Sequence, residues 1–293
     1  MPSRTTRPAP LFAASLAVLA AAVLPASAPG QPADARPSFY EPGISPDGSE
    51  IAFVHGGDIW TVPAAGGRAT LLVGHEAEES RPLFSPDGDR LAFLSDREGS
   101  DDVYLLDLEN GRVRRLTFAP GDESLSGWSR DGSWIYFSSS GEDVGGMHDV
   151  FRVRPGGGTP AAVLADTYAS EYFASAGPDG SVLALSTRSR MALHQWWRNG
   201  HSHIDEAEIW TARIDDTPSY RPLVQNEAKN LWPMWSGDGT DLYWVSDVSG
   251  SENIWTIPAD GGEARRVTSF TEGRVLWPSL APGTGTIAFE RDF

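Results

Sequence analysis

The chain has 293 residues, with 40 acidic and 23 basic side chains, a formal net charge of −17 and no cysteine. A surface of this sign repels nucleic acids and anionic membranes, which argues against both as partners. Without cysteine there are no disulfides, so the hydrophobic core must stabilise the fold alone. The 31 glycines and 22 prolines are typical of many short strands joined by frequent turns.

The N-terminus predicts export. Residues 1–28 have the features of a signal peptide, namely Arg4 and Arg7, then an apolar run over 11–24, then Ala26-Ser27-Ala28 as a cleavage site. The apolar run is short for a membrane span and is soon followed by proline, which favours cleavage over an uncleaved anchor. Residues 29–36 are Pro-rich and predict a flexible leader. We therefore expect a periplasmic or secreted protein with no membrane contact beyond export.

From residue 37 onwards one pattern recurs, a polar turn followed by an apolar strand. The clearest copy is Ser85-Pro86-Asp87-Gly88 ahead of Leu91-Ala92-Phe93. The copies follow one another at intervals of 40 to 59 residues, and the equivalent turn positions are Asp47, Asp87, Asp131, Asp179, Asp238 and Gly283. A period in this range with only strand-like content indicates a β-propeller or a similar array.

The residues of this repeated turn have structural explanations. Proline presets φ at the first central position, aspartate accepts local backbone hydrogen bonds, and glycine adopts the positive φ that completes the turn. Because the acidic residues belong to separate turns, they do not converge on one site. We interpret them as turn formers, and not as catalytic groups or metal ligands.

Complete repeats contain a second hairpin, as in Asp58-Ile59-Trp60-Thr61-Val62 before the turn at Gly66-Gly67. Each repeat is therefore predicted to be a four-stranded antiparallel blade, and the fold class to be an all-β, six-bladed β-propeller over residues 37–293. The sixth repeat stops after two strands, so we expect an incomplete sixth blade and a natural protein that continues beyond Phe293. The predicted blade limits are about 37–80, 81–123, 124–168, 169–228, 229–272 and 273–293.

These repeats resemble the Tol-Pal β-propeller repeat family. The resemblance depends on Ser-Pro-Asp-Gly before Ile/Leu-Ala-Phe, on Ser95-Asp96-Arg97 and Ser246-Asp247, and on the Ile-Trp strands with Gly-Gly turns. Within that group the chain is most similar to the N-terminal six-bladed propeller of tricorn-like serine peptidases, on the stretches 196–200, 209–210 and 289–293. This resemblance implies that a second propeller, a PDZ domain and a catalytic domain follow, none of which lies in this chain. No catalytic residue can be transferred.

One stretch, Arg188 to Glu208, interrupts the repeat between the second and third strands of the fourth blade. Long loops on a rigid ring often carry function, and this one is predicted to lie on the face that rims the central channel. Our candidate peptide-binding residues are Trp196, Trp197, Arg198, His201 and His203, because aromatic rings and arginine suit an extended peptide and its carboxylate terminus. The alternatives are a metal site at His201, His203 and Asp205, and a purely structural insertion; we commit to no metal.

Other stretches give no catalytic signal. The chain lacks a Gly-x-Ser-x-Gly motif, and Gly156-Gly157-Gly158 is a hairpin turn without the following helix that a phosphate loop needs. We expect no catalytic residues and no cofactor. The polar starts of the innermost strands, Glu78-Glu79-Ser80, Asp122-Glu123-Ser124 and Lys229-Asn230, are expected to form a solvated rim.

Two functional hypotheses remain from the sequence. The first is a non-catalytic propeller of an exported tricorn-like serine peptidase, which gates or binds peptide and works with a peptidase domain downstream. The second is a stand-alone periplasmic scaffold like the Tol-Pal propeller, which binds a protein partner. A propeller of another hydrolase, such as a prolyl-oligopeptidase-like enzyme, is a third possibility. The sequence leaves the oligomeric state open.

Overall fold

A computed structural model of the chain describes residues 38–141, 146–166, 169–189 and 206–292. These residues form 22 strands and no helix, so this part of the chain offers no helical segment that could cross a membrane. The predicted signal peptide, the predicted leader and the five candidate peptide-binding side chains lie outside the described residues.

The strands form six antiparallel sheets, and within each sheet the strands neighbour one another in chain order. The first strand of each sheet contacts the first strands of the neighbouring sheets, so these six are the inner strands of a ring. They are β1 (Tyr40–Ile44), β5 (Glu79–Phe84), β9 (Glu123–Trp128), β13 (Ala169–Ala176), β17 (Asn230–Trp235) and β21 (Arg274–Ala281).

The second strand of each blade pairs with the inner strand. The second strands are β2 (Glu50–His55), β6 (Arg90–Ser95), β10 (Ile135–Ser139), β14 (Val182–Ser189), β18 (Asp241–Ser246) and β22 (Thr286–Asp292). The third strands are β3 (Asp58–Pro63), β7 (Asp102–Asp107), β11 (Asp149–Val153), β15 (Glu208–Arg213) and β19 (Asn253–Pro258). The outermost strands are β4 (Thr70–Val73), β8 (Val113–Arg115), β12 (Ala161–Leu164), β16 (Ser219–Val224) and β20 (Arg265–Arg266).

The all-β propeller with four-stranded antiparallel blades is therefore confirmed: five blades have four strands, and the sixth sheet is partial, with two strands in the described residues. The core is divided among the junctions between consecutive blades. Between the second and third blades, for example, Leu94 and Val103 pack with Leu125, Ile135 and Phe137. Each blade thus covers its apolar faces only by contacting its neighbours.

The repeated aspartates form the expected turns. Asp47 accepts hydrogen bonds from the Ser45 hydroxyl (2.7 Å) and from the Ser49 backbone N–H (3.0 Å), while Gly48 adopts a φ of 75°. These hydrogen bonds hold the pKa of Asp47 down to about 2. Asp131 and Asp238 accept the same set of bonds in their own turns. The interpretation of these carboxylates as turn formers is confirmed.

The ring closes between the first and sixth blades. The Gly283 N–H donates to the Pro46 carbonyl oxygen (3.1 Å), and the Ile44 N–H donates to the Ser279 hydroxyl (3.1 Å). These bonds join turns and inner strands from opposite ends of the described chain. The circle of inner strands is thus complete although the sixth sheet is narrower.

The expectation of a solvated rim at the starts of the inner strands holds for Glu78 and Asp122, which are exposed, and is wrong for the four residues that follow. Glu79, Glu123, Lys229 and Asn230 are all buried, and each has hydrogen-bond partners inside the fold. Lys229 Nζ pairs with Glu252 (2.8 Å), whose other oxygen accepts the Val275 N–H of the next blade (2.8 Å). The chain's single lysine therefore belongs to a contact between blades.

Glu123 forms a similar link between the second and third blades. Its Oε2 accepts the Val103 backbone N–H (3.2 Å) and the Thr117 hydroxyl. The pKa of Glu123 is raised to about 7, mainly by burial and also by the neighbouring Asp102 carboxylate, which itself pairs with Arg115 (2.7 Å). Two carboxyl groups thus lie close together at this junction, and one of them, Asp102, pairs with a guanidinium.

Gly237 allows the turns of the fifth and sixth blades to approach each other, and this predicts a position-specific effect. A Cβ at Gly237 would overlap the Pro282 carbonyl oxygen, whereas a Cβ at Gly156, in another turn, would meet open space. We expect Gly237→Ala to lower the free energy of unfolding by about 1–3 kcal/mol, because backbone must shift to make room. Gly156→Ala is the control and should change it by less than about 0.5 kcal/mol. Urea denaturation measures both; equal effects would contradict the close approach.

The raised pKa of Glu123 predicts a dependence of stability on pH. The folded protein binds this proton more tightly than the unfolded chain, whose glutamate has a pKa of about 4.3. The tighter binding of this proton therefore raises the free energy of unfolding by on the order of 1–3 kcal/mol below about pH 4. This stabilisation is lost as the pH rises through about 7. Glu123→Gln should weaken this slope in urea denaturation between pH 4.5 and about 8. Glu109 is exposed, so Glu109→Gln should leave the dependence of stability on pH unchanged. If Glu123→Gln shows the same dependence as the natural sequence, the slope does not arise from Glu123.

Candidate functional site

The central channel is the place where the six inner strands meet, and irregular backbone concentrates there. Five inner strands carry a non-glycine residue with positive φ beside a β-bulge, at Glu41, Arg81, Phe173, Trp232 and Trp277. Such backbone is strained, and bulges re-aim side chains, often beside functional sites. The repeated strain therefore marks the channel as a candidate site.

Side chains from these bulges meet across the channel. The rings of Phe173, Trp232 and Trp277 lie with centroids 5.1 to 6.2 Å apart, although they come from the fourth, fifth and sixth blades. The Arg81 guanidinium of the second blade lies 5.1 Å from the Trp277 ring centroid. Since the second and sixth blades are not neighbours, this contact spans the axis. We call these four residues the channel cluster.

Glu41 places a buried carboxylate beside Arg81 of the channel cluster. Its carboxylate accepts the backbone N–H of Arg81 at 2.6 Å, and burial raises the pKa of Glu41. Burial lowers the pKa of Arg81 to about 10, so the guanidinium is still protonated at neutral pH. The channel cluster therefore combines one cation with three aromatic rings in tilted and edge-to-face contact.

A second arginine lies at the turn end of the channel. Arg130 occupies the place of proline in the third blade's turn, and its Nη2 donates to the Ser236 carbonyl oxygen of the fifth blade (2.7 Å). This contact also joins blades that are not neighbours. The side chain therefore crosses the mouth of the channel at the face formed by the repeated turns.

The predicted peptide-binding insertion joins β14 to β15, which pair directly through Thr187 and Glu208. At its base the Arg188 Nε donates to the Glu206 carbonyl oxygen (3.0 Å), and the guanidinium lies 5.9 Å from the Tyr172 ring centroid. Tyr172 in turn contacts Phe173, with centroids 5.2 Å apart. The base of the insertion is thus connected to the channel cluster, while Trp196, Trp197, Arg198, His201 and His203 lie outside the described residues.

Sequence reasoning missed the channel cluster, although a signal was present. Four inner strands carry proline after the strained residue and three residues before the repeated turn, at Pro42, Pro82, Pro233 and Pro278. Proline within a strand marks a bulge or an edge. Reading the residue before each proline as channel-facing would have selected Glu41, Arg81, Trp232 and Trp277.

The described residues contain no group of three or more histidine or acidic side chains arranged to hold a metal ion. The side chains at the channel supply hydrogen-bond donors, a positive charge and aromatic surface.

The fold and the channel define the class, a β-propeller whose narrow axis is lined by aromatic and arginine side chains. The family described as the tricorn protease N-terminal beta propeller domain matches residues 39–293, and the chain belongs to this family. A tricorn protease homolog of Streptomyces coelicolor is 29% identical over 224 residues, which cover 76% of this chain and 20% of the homolog. The chain thus spans about a fifth of that relative's length.

Two other relatives are shorter. An uncharacterized protein of Agrobacterium fabrum is 31% identical over 216 residues, covering 69% of this chain and 68% of that protein. The solved structure of a putative TolB from Agrobacterium tumefaciens superposes with a TM-score of 0.71 at 19% identity, covering 88% of this chain and 91% of that one. The structural likeness shows the propeller fold.

The channel cluster predicts a stability effect. Trp232 is buried and contacts the other two rings, so Trp232→Ala should lower the free energy of unfolding by about 3 kcal/mol, through lost burial and an unfilled cavity. Phe118→Ala removes a ring that is 69% exposed and should cost less than about 1 kcal/mol. Urea denaturation of both variants checks this; equal losses would mean that the channel rings pack no better than a surface ring.

Proposed function

We propose that this chain is the non-catalytic propeller domain of an exported tricorn-like serine peptidase, in which it binds and gates peptide substrate. The observation that carries the proposal is the family match over residues 39–293, together with a tricorn homolog of which the chain covers one fifth. The catalytic groups would be supplied by a peptidase domain outside these residues. Export is proposed from the signal-like residues 1–28.

The geometry of the channel supports a gating role. An extended peptide that passes along the axis must move past the channel cluster and past Arg130, both of which bridge blades that are not neighbours. Aromatic rings and arginine suit contact with peptide because they provide apolar area and charge-assisted hydrogen bonds. The insertion between β14 and β15, with Trp196 and Trp197, is proposed as the first peptide contact on the opposite face, since its base joins Tyr172 and the channel cluster.

The second candidate is a stand-alone periplasmic scaffold that binds a folded protein partner. The specific observation in its favour is the extent of the superposition on the putative TolB, 91% of which is covered by this chain. A protein of that kind would need no peptidase domain and would catalyse nothing.

Peptide binding distinguishes the two candidates. In fluorescence anisotropy with labelled unstructured decapeptides, the combined substitution Trp196→Ala and Trp197→Ala should weaken binding at least about fivefold, because buried aromatic anchors contribute more than about 1 kcal/mol each. Urea denaturation should be unchanged, and Phe118→Ala should bind as the natural sequence does. Loss of folding without a separate binding effect would overturn the peptide-binding role of the insertion.

The same preparations test the catalytic assignment. The 293-residue chain should not hydrolyse the decapeptides, and hydrolysis that disappears when one of its own serines or histidines is replaced would contradict a non-catalytic domain. Binding of a folded periplasmic protein with no binding of peptide would favour the scaffold candidate.

A further inference from the structure

A cavity lies between the channel cluster and the face of the repeated turns. Its volume is about 170 Å³, and inner strands and turns from all six blades line it. An engineered apolar cavity of about 150 Å³ holds one benzene molecule. The cavity is therefore large enough for one small molecule, or for one amino-acid side chain together with the polar group at its end.

The charge of the lining is opposite to that of the protein. Among the described residues that line the cavity, the only charged side chains are Arg81 and Arg130, and neither aspartate nor glutamate is present. The whole chain, by contrast, has a net charge of −17. A cavity with two guanidinium groups inside an acidic protein favours an anionic ligand.

Hydrogen-bond donors in the lining lack acceptors. Arg81 is only 6% exposed, and its Nε and Nη1 have no hydrogen-bond partner; the same is true of the Trp232 indole Nε1. The Glu41 carboxylate, whose charge acts on Arg81, accepts the backbone N–H of that residue. The Ser126 hydroxyl, which also lies in the lining, has no partner either. Buried donors are almost always hydrogen-bonded, so this group of unpaired ones requires an explanation.

The rest of the lining combines apolar and polar side chains. Phe173, Trp232, Pro233 and Pro278 provide aromatic and aliphatic surface, and the hydroxyl groups come from Ser126, Ser129, Ser175 and Ser279. The Trp277 ring lies behind this lining, against the Arg81 guanidinium. A ligand that fills this space must therefore carry a compact apolar group next to its anionic group. A bare inorganic anion would leave the aromatic walls without a contact.

We propose that this cavity binds a carboxylate attached to a short branched aliphatic group or a single ring. The carboxylate accepts hydrogen bonds from Arg81 and from the Trp232 indole, and the apolar group packs on the channel cluster. Arg130 closes the site from the turn face, and its single hydrogen bond to the Ser236 carbonyl oxygen allows it to swing aside. A free carboxylic acid and the C-terminal residue of a peptide share this chemistry. The site does not depend on the insertion or on a peptidase domain. If the proposed function is wrong, this carboxylate site can therefore still be right.

The test compares a charged ligand with its neutral isostere on the full chain. In calorimetric titrations, 3-methylbutanoate should bind with one site per chain, and 3-methylbutanamide should bind at least tenfold more weakly, a difference of about 1.4 kcal/mol. Added salt should weaken the binding of the acid more than that of the amide. Equal affinities, or no binding of either compound at millimolar concentration, would overturn the proposal.

Substitutions locate the site. Arg81→Gln should reduce carboxylate affinity at least tenfold, and Arg213→Gln, which removes an exposed arginine of β15, should leave it unchanged. Trp232→Phe keeps a ring but removes the indole donor and should weaken binding severalfold. If Arg81→Gln does not fold, Trp232→Phe and the comparison of acid with amide still decide the matter. Loss of binding in Arg213→Gln but not in the channel variants would place the ligand elsewhere and contradict the proposal.

One further pair of peptides shows whether the bound carboxylate belongs to a peptide C-terminus or to a small carboxylic acid. An unstructured decapeptide ending in leucine is titrated with a free and with an amidated C-terminus. Binding of the free acid form alone identifies peptide termini as ligands, and binding of 3-methylbutanoate without either peptide identifies small carboxylic acids that fit beneath Arg130. Both results support a carboxylate site, whereas equal binding of the two peptides through Arg81 would contradict it.

Discussion

A four-stranded blade has two apolar faces and cannot cover either of them alone, and this constraint governs the whole molecule. Ile135 and Phe137 of the third blade are buried only because Leu94 and Val103 of the second blade lie against them. The same requirement applies at each junction, so the sheets must follow one another around an axis until the last meets the first. The narrow channel is a result of this closure.

Closure also explains why polar groups are buried between blades. The inner strand of one blade starts beside the third strand of the previous blade, and backbone N–H groups such as those of Val103 and Val275 lie at this junction. Glu123 accepts the Val103 N–H of the preceding blade, and Glu252 accepts the Val275 N–H of the following blade. Each link fixes the spacing between two blades, and in the case of Glu123 the burial of the carboxyl group raises its pKa.

Local signals in the sequence were sufficient for the fold. The hydrogen bonds of Asp47 are formed with Ser45 and Ser49, within four residues along the chain, so the turn can be recognised without the rest of the molecule. The channel cluster is different, because Arg81 meets Trp277 only after six blades have closed, and nothing in the neighbourhood of either residue specifies the other. The burial of Glu79 and Glu123 was predicted wrongly for the same reason, since acidic residues at strand starts look solvated until the neighbouring blade is in place. The prolines that follow the strained residues were the one local indication of the channel.

The closing contacts have a consequence for how the protein folds. The hydrogen bonds between Ile44 and Ser279 and between Glu41 and Glu290 join residues that are 235 and 249 positions apart, whereas every hairpin within a blade is local in sequence. Forming such distant contacts costs loop-closure entropy before any packing is gained, which slows folding in proteins dominated by non-local pairing. The junction between the first and sixth blades is therefore the seam of the ring, where we expect assembly to be completed after the separate blades have formed.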